Sequence, residues 1–97
     1  MKLFLIRHGQ SQSNENLKIH HSIPDHAIEL TKQGIKQAEI CGEFLAKKFE
    51  YIAYRNNSRI WNSPYVRARQ TKNLINKQIE KVNHIDFQSY ENILLAE

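Results

Sequence analysis

Leu3-Phe4-Leu5-Ile6-Arg7-His8-Gly9 is the stretch whose reading decides the fold of this chain. Its first four residues form a continuous apolar run without alternation, which suits a strand buried on both faces of a parallel sheet. Polar chemistry begins abruptly at Arg7. His8 is therefore expected at the carboxyl end of that strand, where ligands gather in open parallel sheets. Gly9 lets the backbone turn sharply and approach a ligand closely, and Arg7 offers a planar fork of donors matched to phosphate oxygens. Taken by itself the Arg-His-Gly triplet is a weak motif, because three residues recur by chance.

The segments beyond the triplet supply context. Arg7 to Leu30 is polar, with Pro24-Asp25 as turn punctuation, and reads as a long loop holding a short helix. Thr31 can cap a helix whose inward positions Ile35, Ala38, Gly42, Leu45 and Phe49 follow the three-to-four residue spacing of one face, with Lys47 and Lys48 at its negative end. Ser58 to Asn62 contains Ile60 and Trp61 and reads as a second strand, closed by Ser63 as cap and Pro64 at the first helical position. In the helix that follows, Ala68, Thr71, Ile75, Ile79 and Val82 share a face. Arg67 then lies near the first turn, and Arg69 and Gln70 point elsewhere, with Arg69 on the surface. A further strand is expected around Ile85-Asp86-Phe87, before a last apolar run, Ile93-Leu94-Leu95-Ala96.

Length and composition bound the answer. Ninety-seven residues, 40% hydrophobic and 25% charged, can bury one modest core, so a single domain spanning 1–97 is expected. Lys and Arg total 14 against 10 Asp and Glu, a formal charge of +4 that favours anionic partners. The single cysteine, Cys41, cannot form an internal disulfide and reads as a small helix residue. Four apolar residues before Arg7 are too few for a signal-peptide core or a membrane span, so a soluble, cytoplasmic protein without membrane contact is expected. His20, His21 and His26 lack helical spacing and an accompanying carboxylate motif, so no metal site is expected.

Three blocks extend the triplet: Gln10-Ser11-Gln12-Ser13-Asn14; Leu30-Thr31-Lys32-Gln33-Gly34 with Gln37-Ala38; and Ser63-Pro64-Tyr65-Val66-Arg67-Ala68-Arg69-Gln70-Thr71. In this order and at these separations they resemble the histidine phosphatase family, which includes cofactor-dependent phosphoglycerate mutases and many small phosphatases, and the resemblance spans nearly the whole chain. It implies an α/β fold, a partial three-layer α/β/α arrangement with a mostly parallel sheet, corresponding to the N-terminal half of the phosphoglycerate mutase-like architecture. It also implies that His8 attacks phosphorus and becomes phosphohistidine, while Arg7, Asn14 and Arg67 hold the phosphoryl oxygens and Gln10 lines the pocket. Leu94-Leu95-Ala96-Glu97 resembles the segment that carries the family's proton donor, which would make Glu97 the catalytic acid. The physics suits those roles. A neutral imidazole has a lone pair near neutral pH, arginine stays charged, and a helix start favours anions at Arg67. The bland readings are that the arginines are surface charges, Asn14 a turn former and Glu97 a frayed terminal residue.

The sequence also departs from the family. Members usually run to about twice this length, as a doubly wound sheet requires, and their second catalytic histidine, followed by glycine, has no counterpart. His20, His21, His26 and His84 are not followed by glycine. That loss would cost several powers of ten in rate if nothing replaces it. Half a sheet would leave a strand edge and apolar helix faces uncovered, so association into a homo-oligomer is expected.

Phosphomonoester hydrolysis is the leading functional reading. Mutase transfer, which would require a bisphosphoglycerate phosphoryl donor, is second, because Ser13 stands where mutases commonly carry tryptophan and Arg69-Gln70-Thr71 ends the arginine block differently. Hydrolysis itself needs no cofactor. The expected partner is a small phosphorylated substrate or inorganic phosphate. A non-catalytic phosphate- or polyanion-binding remnant is the rival from another class, and nucleic-acid binding is a distant third because the basic residues are scattered.

Overall fold

The computed structural model describes residues 3–50, 59–83 and 88–95. Ser58, Ile85-Asp86-Phe87, Ala96 and Glu97 lie outside the described residues, as do the side chains of Phe49 and Val82. The regular elements run in the order α1 (Gln12–Glu15), α2 (Lys32–Glu50), β1 (Arg59–Asn62), α3 (Val66–Asn83) and β2 (Gln88–Glu91). Short 3-10 turns occupy Leu17–His21, Asp25–Ala27 and Ile93–Leu95.

β1 and β2 pair in parallel, with Ile60 opposite Ser89 and Trp61 opposite Tyr90. Parallel neighbours need a long crossover, and α3 supplies it, so β1-α3-β2 is a βαβ unit of an α/β fold. The indole of Trp61 stacks on the Tyr90 ring at 4.9 Å, a cross-strand pair on one face of the ladder. Arg69 of α3 grips Glu91 of β2 with two bonds, Nε to Oε1 at 2.6 Å and Nη2 to Oε2 at 2.8 Å, tying the crossover to the second strand.

Both long helices follow the apolar spacing. Thr31 Oγ1 accepts from Gly34 N at 3.1 Å, the N-cap contact of α2. Leu45 and Ala46 of α2 are buried with Ile75 and Ile79 of α3, Cys41 and Ile60 pack against the same core, and Ala38 is buried one to two turns earlier on α2. Ile35 sits at the margin of that face, partly exposed. Gly42 lets the two helices approach, because a Cβ there would lie 2.9 Å from Gln78 Cβ and 3.0 Å from Ile75 Cα. Burial pushes the Cys41 thiol above its ordinary pKa, which suppresses the thiolate and agrees with a packing residue.

Two features differ from the sequence reading. Leu3-Phe4-Leu5-Ile6 is not a buried strand: among the described residues it joins no ladder, and its residues are 78%, 39%, 89% and 45% exposed. A parallel strand is held by backbone bonds to a neighbour and by cover on both faces, and among the described residues β1 finds its ladder partner in β2 alone. The second helix starts two residues later than the Ser63-Pro64 signal suggests. Ser63 Oγ accepts from Tyr65 N at 3.1 Å, forming a local turn, and the Tyr65 carbonyl is the first helical acceptor, bonded by Ala68 N and Arg69 N at 3.0 Å.

Ile79→Ala should lower stability by about 3 kcal/mol through the cavity left between α2 and α3, read from the urea midpoint. The hydrogen-bonded Arg69 guanidinium holds the Glu91 carboxyl below the ordinary carboxylate range. A depressed folded-state pKa stabilises above the unfolded value, so this contribution is full at neutral pH and fades as pH falls through that range toward the lowered value. Glu91→Gln should flatten that acid limb of a urea-midpoint titration without changing its neutral-pH shape.

Candidate active site

The loop between Arg7 and Leu30 is stitched together before it is used. Ser11 and Leu30 form an antiparallel bridge, Gln12 N donates to Glu29 O at 2.9 Å, and Thr31 N donates to Gln10 O at 2.9 Å. Leu30 N donates to Gln70 Oε1 at 2.8 Å, anchoring the loop's far end to α3. Its near end is anchored by Gly9 N, which donates to Thr71 Oγ1 at 3.2 Å, while the same hydroxyl donates to Arg67 O at 2.8 Å. The fit is tight: a Cβ on Gly9 would strike the Gly34 carbonyl oxygen, and one on Gly34 would strike the Gln10 carbonyl oxygen. Glycine at both positions is thus a requirement of backbone-to-backbone approach.

His8 is half-buried at the start of this loop. Its Nδ1 lies 2.7 Å from the carbonyl oxygen of Gly9. A carbonyl only accepts, so Nδ1 is the donor in this contact, and in the neutral imidazole the lone pair then lies on Nε2. His8, Arg7 and Arg67 line one cavity of about 540 Å³, together with Asn62, Tyr65 and Thr71. Its remaining wall is largely apolar, including Ile60, Trp61 and Ile75. Arg7 is exposed, whereas Arg67, second residue of α3, is 4% exposed.

The Arg67 guanidinium is held from two sides. Its Nη1 donates to the Asp25 main-chain carbonyl at 2.7 Å and lies 3.4 Å from Asp25 Oδ1, with Nη2 3.5 Å from Oδ2. It also lies over the Tyr65 ring, 4.9 Å from the centroid. Asn62, at the carboxyl end of β1, is buried; its Nδ2 donates to Ser63 O at 2.8 Å, and its Oδ1 has no partner among the described residues.

The other sequence candidates are placed differently. Asn14 Oδ1 accepts from Ser11 N and Ser11 Oγ, both at 3.0 Å, so this side chain closes the first turn of α1 and does not line the cavity. Gln10 also lies outside the cavity wall; its N donates to Gln37 Oε1 at 2.9 Å and its Oε1 accepts from Thr31 Oγ1 at 2.8 Å. Glu97 lies outside the described residues. No trio of His, Cys, Asp or Glu among the described residues could hold a metal ion. Sequence reasoning missed Asp25, taken only as turn punctuation, and the linking role of Thr71. A hydroxyl in the middle of an otherwise apolar helix face was the available signal for the latter.

Residues 3–92 match the histidine phosphatase superfamily (branch 1). The chain is similar to a phosphohistidine phosphatase SixA homolog from Haemophilus influenzae, with 31% identity over 96% of this chain and 52% of the relative. It is also similar to the broad-range acid phosphatase DET1 of Saccharomyces cerevisiae, 31% identical over 87% of this chain and 35% of the relative. The phosphoglycerate mutase-like protein AT74 of Arabidopsis thaliana is 32% identical over 82% of this chain and 26% of its own length. Among solved structures, the protein histidine phosphatase SixA complexed with tungstate shares the fold at a TM-score of 0.60 and 18% identity, over 90% of this chain and 46% of that one. The chain thus spans about half, or less, of the length of the relatives it matches. No helix among the described residues is long and apolar enough to cross a membrane.

Thr71→Val should leave the buried Gly9 N–H without its acceptor at nearly constant side-chain volume, costing about 1–3 kcal/mol. Amide hydrogen exchange should show Gly9 and its loop losing protection ahead of the α2/α3 core.

Proposed function

Since the chain belongs to branch 1 of the histidine phosphatase superfamily, we propose that it transfers phosphoryl groups through His8, with phosphomonoester hydrolysis as the reaction. The observation that carries this reading is the 2.7 Å contact between His8 Nδ1 and the Gly9 carbonyl, which leaves Nε2 as the nucleophilic atom in a cavity it shares with two arginines.

Nε2 attacks phosphorus in line with the bond to the leaving oxygen. The N–P bond forms as the P–O bond breaks, and the leaving oxygen takes a proton from a carboxyl group, for which Glu97 is the proposed donor. Water then attacks phosphorus, the N–P bond breaks, phosphate departs and the carboxylate recovers a proton from that water. Arg67 and Arg7 neutralise the charge spread over the transferring group. Asn14 and Gln10, which lie outside the cavity wall, would have to turn toward the phosphoryl group to serve as ligands, Asn14 through its Nδ2 donors because its Oδ1 is engaged by Ser11.

A small phosphorylated molecule is the proposed substrate, and the reaction needs no cofactor. A bisphosphoglycerate donor belongs only to the mutase variant of this reading. The acid phosphatase and phosphohistidine phosphatase names of two relatives support hydrolysis over mutase transfer. Location in the cytoplasm is part of the same proposal, as is pairing with a second copy, for which the exposed Leu3, Leu5, Ile93 and Leu94 offer apolar surface. A second reading, phosphate binding without turnover, draws on the formal charge of +4 and on the two arginines in the cavity wall, which favour an anion with or without chemistry.

Incubating the purified chain with p-nitrophenyl phosphate separates the two readings. Hydrolysis predicts phosphate release and an acid-labile phosphoryl label, both abolished by His8→Ala and reduced about 10²–10³-fold by Arg67→Ala. Phosphate binding with neither release nor label would establish the second reading.

A further inference from the structure

Arg67 is the one buried charged side chain among the described residues, and its surroundings are specific. The Asp25–Ala27 turn reaches across 42 residues of sequence to meet it. The shortest contact, 2.7 Å, is to the main-chain carbonyl of residue 25, which any amino acid could supply. What aspartate adds is a carboxylate whose two oxygens face Nη1 and Nη2 at 3.4 and 3.5 Å. With the Tyr65 ring against it, the guanidinium is pinned in rotation as well as in position.

We infer that Asp25 is a positioning residue whose carboxylate orders the Arg67 guanidinium before phosphate arrives. This rests on the reading of Arg67 as a phosphate ligand. An arginine that must be ordered when the anion binds loses rotamer freedom at that moment, whereas one ordered by the fold has already lost it. Pre-organisation of this kind tightens anion binding without adding a contact to the anion.

The opposing effect is repulsion, because a carboxylate near an anion site disfavours a second negative charge. The geometry decides between them. Asp25 is absent from the cavity wall, and its side chain is 47% exposed, so water screens its charge toward the cavity. The same carboxylate touches the guanidinium directly. His20 Nδ1 lies 3.9 Å from Oδ1, beyond hydrogen-bond distance. Ordering therefore outweighs repulsion, and removing the charge should weaken phosphate binding.

Calorimetric titration with inorganic phosphate tests this, using the whole chain and the variants Arg67→Ala, Asp25→Asn and Asp25→Glu. Arg67→Ala should weaken binding about 10–100-fold. Asp25→Asn, which keeps the carbonyl contact and the side-chain shape, should weaken it about three- to tenfold, with Asp25→Glu recovering most of that loss. If Arg67→Ala binds phosphate as tightly as the parent, the reading of Arg67 fails and this inference with it. If Arg67→Ala weakens binding while Asp25→Asn leaves it unchanged or tightens it, the positioning role alone is overturned. A readout that needs no variant is the Arg67 Nε–H resonance of the phosphate-free chain. A sharp, slowly exchanging signal is the expected result, and a rapidly exchanging, motionally averaged one would overturn the inference even if Asp25→Asn fails to fold.

Discussion

A single buried hydroxyl couples the two halves of this structure. Thr71 Oγ1 accepts from the Gly9 amide and donates to the Arg67 carbonyl, so one atom joins the loop that carries His8 to the turn of helix that carries Arg67. Both its neighbours are buried main-chain groups, for which water is not an available substitute. Rotating α3 about its axis would break the contact, as would lifting the loop. The spacing between the backbones that carry the imidazole and the guanidinium is therefore set by this hydroxyl, and Asp25 and Tyr65 then fix the arginine side chain. The glycines at 9 and 34 serve the same end, letting two backbones meet where a methyl group would hold them apart.

Charge is distributed in keeping with that scaffold. Of the two arginines close together in α3, Arg67 turns into the cavity wall against Asp25 and Tyr65, while Arg69 turns outward to Glu91 on β2. Two residues along a helix correspond to about 200° of rotation, which separates the side chains onto different faces. One serves the site and the other ties the crossover helix to its strand, so neither can take the other's place.

How much of this was legible in the sequence depends on range. Features set by local periodicity were readable: the apolar stripe from Ala38 to Leu45, the stripe from Thr71 to Ile79, the Thr31 cap and the strand at Ile60-Trp61 all appear within a residue or two of their expected places. The Arg-His-Gly triplet and the arginine block were likewise visible as motifs, and Arg7, His8 and Arg67 from them line one cavity. Features set by distant partners were not readable. The Leu3–Ile6 run has strand composition, but a ladder needs a neighbour that composition does not name. Asp25 looked like a turn residue because its partner lies 42 positions away. Asn14 illustrates a third case, in which one short side chain can serve either a turn or a ligand, and only geometry shows that its oxygen is engaged by Ser11.

The stacked rings of β1 and β2 lend the molecule a built-in optical gauge. Trp61 is the chain's lone tryptophan and leans on Tyr90 directly across the parallel ladder. Indole emission consequently originates from one spot, beside the wall that His8 and the arginines share. Separation of the two strands should alter that emission, so ordinary fluorescence can follow the integrity of the sheet without any attached dye.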